Sequence, residues 1–219
     1  MILVESIIIV LLFVALFKNL IKRNSIPFYI LAALINFMYI KIASMPMVKE
    51  LNPAISKYLL GPLNRGAIGT AFIIIVMYIG VLKKDQFVRE LMQIRGELAI
   101  IGSIIIFGHN ILFGKIFFVQ FFTDMSSLEP LKLVATIISL VMIAILIPLF
   151  LTSFKTIRKK MNPGSWKKLQ KLAYTFFYLI FIHVIVLYSG HIKDKVLDVV
   201  IYVLIWGYYT IKLVQKNQI

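Results

Sequence analysis

Two of the three histidines of this 219-residue chain lie in the middle of long apolar stretches. His109 sits within IGSIIIFGHNILFGKIFF and His183 within LAYTFFYLIFIHVIVLYS. An ionisable side chain at membrane depth is costly and faces a bundle interior or a cavity in preference to lipid. Neutral imidazole is the usual axial ligand of a buried haem iron, so two such histidines on two helices have the chemistry of a bis-histidine haem. Zinc is served less well, because it wants a third or fourth N, O or S ligand and neither stretch has an Asp or Glu in its core. Two plainer roles stand beside these: a hydrogen bond to a neighbouring helix, contributing about 0.6 kcal/mol, and a proton relay. His191 follows in the polar connection 190–195 and reads as a solvated side chain first and a ligand second.

The elements that must position these groups are membrane helices. Hydrophobic residues make up 61% of the chain and charged residues 15%, against about 45–50% and about 25% in soluble domains; mean hydropathy is +0.94. Spanning segments must satisfy their backbone hydrogen bonds internally, so the fold class is an all-α polytopic membrane helical bundle. Seven segments approach the roughly 20 apolar residues of a span: 1–17, 27–45, 67–82, 98–122, 131–154, 172–189 and 196–214. The third is short, which leaves six to seven transmembrane helices. The first has no positive n-region and no small-residue cleavage site, so it reads as a retained span and not a signal peptide. Pro148 predicts a kink inside the fifth.

The absence of cysteine excludes disulfides, iron–sulfur clusters, covalent c-type haem and thiol chemistry. The net charge of +15 falls at the ends of the apolar segments. That is the pattern of topology determinants and lipid-headgroup contacts, and it argues against nucleic acid as a partner. Lys and Arg are concentrated in 18–23, 83–95, 155–171 and the tail, sixteen of the 24. The positive-inside rule places those segments in the cytoplasm, with the N-terminus outside and the C-terminus cytoplasmic. His109 then lies 11 residues beyond Leu98 and His183 lies 11 residues beyond Leu172, both counted from the inner side. At 1.5 Å per residue each is about 16 Å in, near the middle of a core about 30 Å thick.

Gly102, Gly108 and Gly114 flank His109. Glycine gives clearance either for a flat macrocycle or for a neighbouring helix, and both readings stay open. Phe107, Phe113, Phe176, Phe177 and Tyr178 could line a porphyrin or serve as packing. The connection 155–171 carries seven Lys/Arg and the turn Asn162-Pro163-Gly164. It reads as a topogenic cluster or as a dock for an acidic electron-donor protein, steered by charge.

Around that connection the chain resembles a known family. Leu151-Thr152-Ser153, then Trp166-Lys167-Lys168-Leu169-Gln170-Lys171-Leu172-Ala173-Tyr174, then His183 are similar to the ferric reductase-like transmembrane domain. The resemblance is nearest to the haem-binding membrane subunit of the bacterial periplasmic methionine sulfoxide reductase system. In that family a Leu-Thr-Ser helix end and a basic loop precede Trp-x-x-Leu-His-x-Leu-x-Tyr, with a second His 13 residues after the first. Arg95-Gly96 ahead of the helix holding His109 also fits. Gln170 stands where the family has its first histidine, a departure that removes an inner ligand and leaves His109 and His183 for one b-type haem.

The resemblance implies N-terminal transmembrane helices over 1–60, a haem-binding core over 61–190 and a C-terminal transmembrane helix over 191–219. It implies one haem b per chain with His109 and His183 as axial ligands of its iron, and Arg95, Gln170 and His191 as weaker candidates for binding. The leading functional expectation is electron transfer in or across the membrane. The donor would be a quinol or a flavoprotein, a partner would supply any flavin or quinone, and the acceptor would be extracytoplasmic. Haem sequestration, sensing or protection without catalysis is the first alternative; a haem-free transporter or structural subunit is the second. No glycine-rich dinucleotide motif is present. The chain would therefore be the membrane haem subunit of an oxidoreductase, not a complete NAD(P)H-dependent reductase.

Overall fold

The computed structural model describes residues 1–45 and 60–218. The connection carrying Lys49 and Lys57, part of the outer-side charge count, lies outside the described residues. Of the described residues 88% are helical and none lies in a strand. Its helices are α1 (Ile2–Arg23), α2 (Ile26–Ala43), α3 (Gly61–Asn64), α4 (Ala67–Val81), α5 (Gln86–Gln93), α6 (Arg95–Thr123), α7 (Pro130–Ser153), α8 (Lys155–Arg158), α9 (Pro163–Gln170), α10 (Leu172–Ser189) and α11 (Ile192–Asn217).

Among the described residues, six helical stretches are long and apolar enough to cross a membrane: α1, α2, α6, α7, Pro163–Ser189 and Ile192–Lys216. Their outer faces leave Leu16 74%, Phe122 73% and Leu204 64% exposed. Surface of that kind needs lipid, since water-soluble proteins do not expose large contiguous apolar areas. α4 is the short seventh. Its 15 residues rise about 22 Å, and it is hydrophobic nearly all round. Ala71, Phe72, Ile74, Met77 and Ile79 are all buried, as expected of a helix without a polar face.

Local chemistry fixes several helix ends. Asp85 caps α5 by accepting from the Val88 amide, and Asn162 caps α9 by accepting from the amides of Gly164 and Ser165. The basic connection expected over 155–171 is therefore largely helical, made of α8 and α9. α7 runs through Pro148 without interruption to Ser153, and the Thr152 hydroxyl donates to the Pro148 carbonyl at 2.7 Å.

By compactness the chain groups into two units, Met1–Ile79 with Lys84–Lys115, and Gly80–Lys83 with Ile116–Ile219. This grouping follows packing, whereas the division at 60 and 190 follows the resemblance. The first unit has a core of Val10, Val14, Ala32, Ala71, Ile75, Ile79, Leu91, Leu98, Ile101 and Ile105. Two glycines set the approach of α4 to α6. A Cβ on Gly102 would lie 2.6 Å from the Phe72 Cβ, and one on Gly69 would lie 2.5 Å from the Ile106 Cγ1. Lys18 pairs with Glu90 and lies 5.0 Å over the Phe87 ring. Its hydrogen bond and charge hold the Glu90 carboxyl below the usual carboxylate range.

In the second unit α10 packs between α7 and α11. Phe177 stacks on Trp206 at 4.6 Å, and the Trp206 indole N–H donates to the Phe177 carbonyl at 2.8 Å.

The α4–α6 crossing generates a prediction. Gly102→Ala forces a Cβ against another Cβ, which cannot rotate away, so thermal stability in detergent should fall by about 1–3 kcal/mol. Gly207→Ala meets nothing within 4 Å and should leave stability unchanged or raise it by up to about 1 kcal/mol. Equal melting of the two variants would refute the close crossing.

Candidate functional site

His109 is the middle residue of α6, 14 residues from either end. Its Nδ1 lies 2.8 Å from the Asn64 carbonyl oxygen. A carbonyl only accepts, so Nδ1 carries the proton, and in a neutral imidazole Nε2 then holds the lone pair. Nε2 has no hydrogen-bond partner among the described residues. Asn64 ends α3, and the carbonyls of a helix's last turn lack partners within the helix. Two residues on, Gly66 adopts φ 64°, a left-handed conformation that suits glycine. There the chain reverses into α4 against the His109 ring: a Cβ on Gly66 would lie 3.2 Å from Cγ and 3.3 Å from Cδ2. Phe113 flanks the imidazole at 4.9 Å between centroids.

The turn of α6 before His109 is held by α2. Asn36, 8% exposed, donates through Nδ2 to the Ile104 carbonyl. Its Oδ1 has no partner among the described residues and lies over Gly108, where a Cβ would overlap it. The question left open for the glycines is thereby answered for two of them. Gly102 makes room for Phe72 and Gly108 for Asn36; both serve helix packing.

His183 is half-buried on α10, with Nδ1 3.4 Å from the Ser139 hydroxyl of α7. The contact is long. That hydroxyl also lies 2.9 Å from the Ala135 carbonyl, to which it can donate. His109 belongs to the first compact unit and His183 to the second. No group of three or more His, Cys, Asp or Glu occurs among the described residues, so no zinc-type constellation is assembled there.

The weaker candidates are placed apart. Gln170 ends α9, and its Nε2 donates to the Thr152 hydroxyl at 3.2 Å. The Trp166 indole donates to the Thr152 carbonyl at 3.1 Å, with the Arg158 guanidinium 5.4 Å over its ring. The Leu-Thr-Ser and Trp-x-x-Leu-Gln stretches thus meet at one threonine, which gives their spacing a packing reason. Arg95 opens α6, 14 residues or about 21 Å of rise from His109. His191 is the exposed residue before α11. Among the aromatics, Phe113 faces His109, while Phe177 is committed to Trp206.

Sequence reading missed Asn36, Asn64, Gly66 and Ser139. Asn36 had a signal, as the lone amide in the apolar run IPFYILAALINFMYIKIA. The Asn-Arg-Gly turn was a second one.

No family model matches the chain, and no solved structure matches it. An uncharacterized protein of Treponema pallidum (strain Nichols) is 32% identical over 164 residues, covering 73% of this chain and 46% of that protein. The chain spans about half the length of this curated relative.

The Thr152 junction yields a stability prediction. Thr152→Val keeps the volume but removes the acceptor of Gln170 and the donor to Pro148. It should cost about 1–2 kcal/mol in thermal unfolding, whereas Thr156→Val at an exposed position should stay within about 0.5 kcal/mol of wild type.

Proposed function

We propose that the chain is an integral membrane b-type haem protein that carries electrons in or across the membrane to a redox partner, with His109 and His183 as iron ligands. One observation carries the reading. The His109 imidazole turns Nδ1 toward the Asn64 carbonyl at 2.8 Å, and His183 lies with Nδ1 3.4 Å from the Ser139 hydroxyl. A metal-ligating histidine makes this arrangement through its second nitrogen, which fixes the tautomer and raises the basicity of the ligating one. At His109 this leaves Nε2 as the donor atom, and His183 would supply the second imidazole. Bound haem would supply a one-electron iron couple. The equal spacing of the histidines from Leu98 and Leu172 supports one haem per chain.

The protein's own contribution is to hold each imidazole and to keep water out. The apolar flank of α6 and Phe113 do this beside His109. The charge distribution supports a cytoplasmic C-terminus and an N-terminus outside. On the cytoplasmic side Lys155, Arg158, Lys159, Lys160, Lys167, Lys168 and Lys171 are all exposed, a surface suited to steering an acidic electron donor. A flavoprotein or a membrane quinol would be the donor and an extracytoplasmic protein the acceptor. Haem held without electron transfer is favoured by one feature: Gln170, tied to Thr152, provides no inner-side imidazole.

His109→Ala and His183→Ala, each alone, are expected to lose most bound haem and the low-spin spectrum of the purified protein. Full haem content and an unchanged spectrum in both would refute the assignment. Reduction of the bound haem by a quinol or flavoprotein donor separates electron transfer from storage. For topology, a cysteine at Ser165 should resist an impermeant maleimide on intact cells while one at Ser189 reacts. Equal labelling would reverse the orientation.

A further inference from the structure

α2 is mostly lipid-facing, and the residues it buries are Ala32, Asn36 and Tyr39. Asn36 and Tyr39 are three apart and share a helix face. Tyr39 is 3% exposed, and its hydroxyl donates to the Asn64 Oδ1 at 3.0 Å. Asn36 holds the Ile104 carbonyl, five residues before His109. One turn of α2 therefore grips both parts of the His109 arrangement: the helix that carries the imidazole, and the turn whose carbonyl takes its proton. A polar face on a membrane helix is costly unless each group is paired. Polar groups can act as simple glue between helices, but glue does not require both grips to converge on the two partners of one hydrogen bond.

We propose that Tyr39, Asn36 and the Asn64–Gly66 turn are the positioning residues of His109, locking its ring in the Nδ1–H tautomer and thereby setting its strength as a ligand. The inference rests on the reading of His109 as a haem ligand. Tyr39 fixes the Asn64 side chain, Gly66 lets the turn close against the ring, and Asn36 sets the register of α6. A firm Nδ1–H···O=C bond makes Nε2 more basic, which favours the ferric state of an iron it binds. Loosening the turn should raise the reduction potential.

The test uses the full-length protein in detergent with two readouts. The first is the ¹⁵N spectrum of the His109 ring in haem-free protein, identified by its loss in His109→Ala. The second is the midpoint potential and haem affinity of the loaded protein. Wild type should show Nδ1 protonated and Nε2 unprotonated. Tyr39→Phe and Asn64→Ala remove the same hydrogen bond from opposite ends, and the Asn64 side chain is exposed, so the second variant keeps the fold if the first does not. Both should mix the two tautomers, raise the potential and weaken haem binding about tenfold. Their effects should not add in the double variant. Gly66→Ala, with φ 64° and a Cβ against the ring, should act more strongly; Tyr174→Phe, at an exposed position, should do nothing. A wild-type ring spectrum in both Tyr39→Phe and Asn64→Ala overturns the proposal. A ring that responds in a protein that binds no haem upholds the positioning set and overturns the haem function.

Discussion

A polar group inside hydrocarbon has no water to turn to, and this chain meets that constraint mainly by aiming side-chain donors at main-chain carbonyls. His109 takes Asn64, Asn36 takes Ile104, Trp166 takes Thr152 and Trp206 takes Phe177. A carbonyl has two lone pairs, and a helical N–H uses one of them. The second is therefore available along every helix, and an additional acceptor is exposed wherever a helix ends. The pairing is directional in its consequences. A ring nitrogen that meets a carbonyl must be the N–H, so the constraint of satisfying a buried imidazole also decides which nitrogen is left for chemistry.

The glycines belong to the same constraint. Between helices in lipid there is little hydrophobic driving force, and close van der Waals packing with interhelical hydrogen bonds takes its place. Gly108 is the point where the two requirements meet. Any side chain there would displace Asn36 and with it the amide that holds the Ile104 carbonyl. The glycine before His109 is thus part of how the histidine is held.

The helices were legible because apolar length is a property of the residues alone; spans α1, α2, α6, α7, α10 and α11 follow from it directly. The boundaries were less so. α1 runs on to Arg23 because Lys18 pairs with Glu90 and the exposed Lys22 and Arg23 can extend their stems and keep the charge in water. The segment 155–171 looked like a loop from its charge, yet the Asn162 cap and the Trp166 anchor on Thr152 make much of it helical. The histidines were conspicuous, and their partners were not. Asn64 and Ser139 lie 45 and 44 residues from them, and at Asn64 the group that matters is a carbonyl, which every residue type carries. Sequence can single out a buried imidazole; it has no mark for the main-chain oxygen that orients it.

The shortness of α4 links these points. Its rise of about 22 Å is less than a hydrocarbon core of about 30 Å, so the backbone leading into it is irregular close to membrane depth. Irregular backbone is tolerated there only where protein covers it or a cavity solvates it. Gly66 and Ala67 are both buried, and the Asn64 carbonyl beside them is covered by the imidazole. A longer α4 would have continued the helix through this point and hidden that carbonyl in its own ladder. His109 would then have met only the second lone pair of a helical carbonyl, in a direction set by the helix. The short helix, the left-handed glycine and the oriented histidine are therefore one structural arrangement.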